Sequence, residues 1–184
     1  MGAIGAIWGV AGLSLIFGSA LYRLYPYAQE LCGMTFAWYH WLALVLSLLF
    51  MGYAEGYKGF HLKFSPRCAA RALYLKKNPT PARVVFAPFF CMGYFHATRR
   101  RKVVAYSLTA MIILLIVLVR QLSQPWRGIV DAGVLLGLGW GLVSIWIFAL
   151  QAFVGKGFVV SPETPDAGLE KGAAQPAGSR PTFF

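Results

Sequence analysis

The amino-acid sequence predicts an all-α integral membrane protein: four transmembrane helices and a basic cytoplasmic loop that carries a short surface helix and an interfacial or re-entrant segment. Three observations lead there. Of 184 residues, 58% are hydrophobic and only 12% are charged. That is half the roughly 25% charged share of a soluble domain, too little to cover a soluble surface. Four stretches are nearly free of charge and close to the roughly 20 residues that a helix needs to cross a bilayer. Finally, the formal net charge of +11 is concentrated in one segment. The apolar content also excludes disorder for most of the chain.

The first predicted span covers residues 2–22, which contain no charge. No basic residue precedes its apolar run, so a retained helix is expected here rather than a cleaved leader. Gly2, Gly5, Gly9 and Gly12 fall on one face of that helix, because residues three and four apart share a face. The second span, 35–54, has His40 as its only ionisable group. Helices are the expected form because a spanning segment must satisfy its backbone internally.

Residues 58–102 follow as the loop. They hold eleven cations and no acid: Lys58, Lys63, Arg67, Arg71, Lys76, Lys77, Arg83, Arg99, Arg100, Arg101 and Lys102. Elsewhere six basic residues balance six acidic ones, so the loop alone accounts for the +11. The excess of Lys and Arg places this loop, and with four spans both termini, on the cytoplasmic side. The expected location is a membrane of the bacterial inner (plasma) type. Tyr22, Tyr25, Tyr27, Trp38, Tyr39 and Trp41 would form the outer aromatic belt, and Tyr53 and Tyr57 the inner one.

Within the loop, Gly56 and Gly59 would permit a sharp turn after the second span. Ser65-Pro66 reads as a helix start, with serine as cap and proline at the first helical position. The residues after it favour helix, and Asn78-Pro79-Thr80-Pro81 stops it. The apolar run 84–95 is too short to cross and is interrupted by Pro88 and Gly93, hence an interfacial or re-entrant segment.

The third span, 103–119, is dense in large aliphatic residues and has no small-residue stripe, which predicts lipid exposure. The fourth, 129–154, begins near Asp131 and carries Gly133, Gly137 and Gly141 four apart, followed by Ser144. This glycine zipper lets helix backbones approach closely in lipid. Gly5, Gly9 and Gly12 are the matching packing candidates on the first span. Either face could join two spans or pair copies of the chain. Residues 1–154 thus form the transmembrane domain. Residues 155–184, rich in Pro, Gly and Ala, are expected to be a disordered tail.

The chemistry is sparse. Glu55, His61 and His96 are the candidate acid–base residues, with an ion pair to an arginine the plainer role for Glu55. The histidines lack the H-x-x-x-H or H-E-x-x-H spacing of a metal site, so no metal and no cofactor are expected. Cys32, Cys68 and Cys91 form no C-x-x-C pattern. No P-loop, G-x-S-x-G or G-x-G-x-x-G sequence occurs. No span carries a central charge, which argues against a proton-coupled pump.

The first functional expectation is a structural or assembly protein rather than an enzyme. It would contact anionic lipids or an acidic partner through the eleven cations, and its own copies or a membrane protein through the glycine faces. Nucleic acid is not expected, because the bilayer explains the interleaved aromatics. The alternative is a lipid-headgroup enzyme or lipid-phosphate binder using Glu55 with His61 or His96. A small oligomeric channel or carrier is the third.

Overall fold

The computed structural model describes residues 1–155, 158 and 160–165. Its regular elements are all helical. They are α1 (Gly2–Gln29) with a short 3-10 turn after it (Glu30–Gly33), α2 (Trp38–Met51), a π-helical stretch (Gly52–Phe64), α3 (Ser65–Lys77), α4 (Pro81–Val85), α5 (Ala87–Met92), α6 (Arg99–Arg120) and α7 (Trp126–Val154). Three helices are long and apolar enough to cross a membrane: Gly2–Gly33, Arg99–Arg120 and Trp126–Val154. The 14 residues of α2 reach only about 21 Å, short of the roughly 30 Å apolar core of a bilayer.

α2 does not stop there. Gly52 and Ser65 both keep right-handed helical backbone angles, so α2, the π stretch and α3 form one unbroken rod from Trp38 to Lys77. The sharp turn expected at Gly56 and Gly59 is absent. Ser65 caps nothing; its N–H donates to the Phe60 carbonyl five residues back. The wide winding runs up to Pro66, whose missing N–H breaks the normal ladder. π adjustments are one way to re-satisfy the freed carbonyls. At the rod's start His40 Nδ1 accepts the Ala37 N–H at 3.2 Å and closes the first turn of α2.

The long elements alternate in direction. Trp126 of α7 packs by Tyr39 and His40 of the rod, while Lys76 at the rod's far end lies over Phe153 of α7. α1 runs the other way: its first glycine meets the Lys76 carbonyl and its last turn meets Gly128. α7 is the centre, touching α1, α2, the π stretch and α3. The buried core joins Ala6, Val10 and Leu13 of α1 to Ala72 and Leu75 of α3, Phe90 of α5 and Ile145 of α7.

Both glycine faces are taken up inside the chain. A methyl carbon built on Gly133 would strike Ser47 Oγ. One on Gly137 would lie 3.2 Å from Glu55 Cβ, and one on Gly141 would lie 2.5–2.7 Å from ring atoms of Phe60. The α7 stripe is therefore the seat of the rod. The α1 stripe seats α4 and α5 instead of another long helix: Gly5 faces Val84, Gly9 faces Cys91 and Ala87, and Gly12 faces Pro88.

Two expectations for the loop and tail are corrected. The helix at 65–77 is not a surface helix. Ser65, Pro66, Cys68, Ala69, Ala70, Arg71, Ala72 and Leu75 are buried, because small side chains let α3 sit between α1 and α7. The tail is not free throughout: Thr164 is buried, and Pro162 and Glu163 bond back to Arg71 and Thr98. The rest of the tail expectation falls outside the described residues. α6 stands apart. Only Arg101 and Ala105 are buried in it, and its aliphatic run is exposed all round.

Candidate functional site

The densest polar chemistry lies where α3, α5, the start of α6 and residues 160–165 meet. Arg71 is its fixed point. The side chain is 1% exposed. Its guanidinium donates to the carbonyls of Phe90 (2.6 Å), Pro162 (2.9 Å), Phe95 (2.9 Å) and His96 (3.1 Å), and it lies 4.3 Å over the Phe90 ring. A planar fork with five donors can bind four acceptors in this way, whereas an ammonium cannot. Burial, above all, pulls its pKa down to about 10, so it remains charged at neutral pH. Arg71 is thus not free to reach a bilayer. It ties together segments far apart in sequence.

Arg67 and Arg101 flank the same place and hold one carboxylate. Glu163 Oε1 lies 3.4 Å from Arg67 Nε, and Glu163 Oε2 lies 3.8 Å from Arg101 Nε. Arg101 is also buried, with Gly93 against it. Gly93 ends α5 with φ +91°, a backbone that only glycine adopts without cost. A Cβ there would lie 3.2 Å from Arg101 Nε. The Glu163 carbonyl accepts the Thr98 N–H at 3.1 Å, and its own N–H donates to Ser161 Oγ at 3.3 Å. Glu163 has φ +50°, uncommon for a residue with a side chain. Its contacts hold it there.

Two thiols sit at the base. Cys68 Sγ lies 3.3 Å from the Cys91 carbonyl, and both side chains are buried. Burial pushes the Cys91 thiol up to about 12 and raises Cys68 as well. Such thiols are inert at neutral pH. Cys32 is exposed.

The eleven cations therefore have different fates. Lys58, Lys63, Lys76, Lys77, Arg99 and Arg100 are exposed. Lys58 lies over Tyr53 and Lys76 over Phe153. Arg67, Arg83 and Lys102 are half-buried, and Arg71 and Arg101 are buried. Those two make their described contacts within the protein.

Glu55, His61 and His96 engage separate partners. His61 Nδ1 pairs with Ser144 Oγ at 3.3 Å, its ring between Tyr57 and Phe148. His96 Nε2 accepts from Arg83 at 2.8 Å, which occupies the lone pair that a base would need. Glu55 packs on Gly137 and has no ion-pair partner among the described residues, so the expected pairing with an arginine does not form there. The described residues contain no group of three His, Cys, Asp or Glu able to hold a metal. A depression of about 370 Å³ lined by Pro26, Gln29, Glu30 and Gly33 lies at the end of α1, at the opposite end of the molecule from the arginines. Near it Arg127, 3.5 Å over the Tyr27 ring, pairs with the buried Asp131 at 3.7 Å.

Sequence reading missed Glu163. Its neighbours are turn formers, which hid it in a stretch read as disordered. The available signal was charge: an acid in the tail opposite a loop with eleven cations and no acid. Comparison of the chain with protein-family models, with curated proteins and with solved structures gives no match.

Proposed function

We propose that the chain crosses a bilayer four times and serves as a structural or assembly protein whose inner face binds anionic lipid headgroups. One observation carries this reading: six exposed cations, Lys58, Lys63, Lys76, Lys77, Arg99 and Arg100, come from a segment without a single acid. Each cation near an anionic leaflet contributes about 1 kcal/mol. The same excess of Lys and Arg favours a cytoplasmic inner face with both termini beside it, in a membrane of the bacterial inner type.

Four crossings are supported by the alternating directions of α1, the rod, α6 and α7. In the rod, α2 with the π stretch supplies the second crossing that α2 alone is too short to make. Arg99 to Lys102 at the start of α6 would mark the inner boundary. Residues 84–95 then form a re-entrant segment, since Pro88 of α5 reaches as far along α1 as Gly12. Exposed Trp38, Trp41 and Trp126 at one end and Tyr53 and Tyr57 further along suit two aromatic belts. An acid–base role for Glu55 is disfavoured, because among the described residues His61 bonds to Ser144 and His96 to Arg83, and neither bonds to Glu55.

The test is native mass spectrometry of the purified chain with equal amounts of phosphatidylglycerol and phosphatidylcholine. Preferential retention of phosphatidylglycerol is expected. Replacing Lys76, Lys77, Arg99 and Arg100 by Gln should weaken it by up to about 4 kcal/mol, given about 1 kcal/mol per cation. Equal retention of the two lipids by the unmodified chain would refute the proposal.

A further inference from the structure

We infer that Arg67 and Arg101 form a binding site for a phosphate oxyanion, and that Glu163 of the tail occupies it in cis as a releasable substitute. The inference deepens the inner-face reading and rests on it for the lipid as source.

Four observations converge. First, the site is built from cations with no acid of their own, since residues 58–102 contain none. Burial, and after it the neighbouring Arg67, disfavours the charge on Arg101, and the two side chains already hold one carboxylate between them, so an anion there is favoured. Second, Arg71 stands beside them with its donors already committed to four carbonyls. It adds positive potential, and its Nη1, now held by the Pro162 carbonyl of the tail, is released toward the ligand when the tail leaves. Third, the Thr98 N–H at the head of α6 donates to the main-chain carbonyl of Glu163 and is freed when the tail leaves. A backbone N–H at a helix start is a ready oxyanion donor. Fourth, the tenant's carboxylate is loosely held, although its main chain is bonded. Its ion pairs are 3.4 and 3.8 Å long and its side chain is 35% exposed. Its backbone lies in the left-handed region. A phosphate presents three acceptor oxygens to guanidinium forks, which match that geometry in two-pronged fashion.

Arg99 and Arg100 are exposed next to the site, at the end of α6 that faces the headgroups in the four-crossing arrangement. The favoured ligand is therefore the phosphodiester of an anionic lipid. Free phosphate shares the chemistry and is separated by the test.

The experiment uses the full chain, unmodified and with Glu163→Gln, in mild detergent. Each is titrated with short-chain phosphatidylglycerol, with short-chain phosphatidylcholine and with inorganic phosphate, and binding is read by native mass spectrometry. A site nine-tenths filled by its own tail binds an outside ligand about tenfold more weakly. Glu163→Gln should therefore raise phosphatidylglycerol affinity about tenfold, and adding Arg67→Gln should remove the gain. In the unmodified chain, phosphatidylglycerol should speed hydrogen exchange at the Thr98 amide as the tail leaves. A gain for the lipid alone assigns the site to a headgroup, and a gain for inorganic phosphate assigns it to a soluble phosphate; either supports the site. No gain for either ligand overturns it. If the unmodified chain fails to prefer phosphatidylglycerol while Glu163→Gln gains phosphate, the inner-face reading falls and the site stands.

Discussion

Replacing Arg71 with Met tests whether one guanidinium holds together the end of the molecule where α3, α5 and the start of α6 meet. The substitution keeps an unbranched chain of similar length and removes all polar contacts. Four bonds are lost, to Phe90, Phe95, His96 and Pro162. Bonds to a charged donor contribute about 1.5–3 kcal/mol each, but the sum overstates the effect. The depression of Arg71 from 12.5 to about 10 reflects mainly a desolvation cost, on the order of 3 kcal/mol at 1.36 kcal/mol per pKa unit, and Met escapes it. Gly93 N–H still donates to the Phe90 carbonyl, and the bonds to the other three lie in part-buried positions where water can replace them. The net loss is about 3 kcal/mol, at the lower end of the range for breaking a buried charged network. For a chain of this size that lowers the melting temperature by about 6–12 °C. Tryptophan fluorescence during heating in detergent measures it. Arg71→Lys should recover less than half, since three donors on one nitrogen cannot span four carbonyls. A melting temperature within 1–2 °C of the unmodified chain for Arg71→Met, or full recovery by Lys, would refute the reasoning.

The other predictions concern packing and thiols. Gly141→Leu should destabilise the bundle by at least the roughly 1–3 kcal/mol of an overpacked core, because Phe60 already fills the space. Gly139→Leu, on the same helix with nothing within 4 Å, should change stability by no more than about 1 kcal/mol in either direction; paired melting curves compare them. A maleimide should label Cys32 within minutes at neutral pH and leave Cys68 and Cys91 unmodified until the chain is unfolded, as read by intact mass. Between about pH 9 and about pH 12 the unfolded chain releases the Cys91 proton while the folded chain retains it. The thiol's contribution is thus intact below pH 9 and is lost as pH rises through that window. Melting followed across it should show a smaller decline for Cys91→Ala.

Legibility in the sequence followed the range of the interactions. Hydropathy and charge add up along a local stretch, so the apolar runs 2–22, 103–119 and 129–154, each inside a longer helix, and the basic segment 58–102 could be read from the sequence. The glycine stripe of α7 could be found, because spacing of four is a local pattern, but its partner could not. Ser47 and Glu55 meet it, and Phe60 does so as well because the rod continues through Gly56 and Gly59 instead of turning. There the local freedom of glycine pointed one way, and packing of Gly56 against Trp140 and of Phe60 against Gly141 went the other.

By itself, then, the sequence determined that this is an apolar helical chain with all of its excess charge in one segment. The tertiary structure alone decided what that charge does. Arg71 reaches Pro162 across 91 residues of sequence, and Glu163 meets Arg67 and Arg101 from a tail whose composition suggested no contact at all. Burial is the physical reason. A cation enclosed by α3, α5 and α6 must be satisfied by whatever carbonyl or carboxylate the fold brings to it, and no local pattern records which one that is.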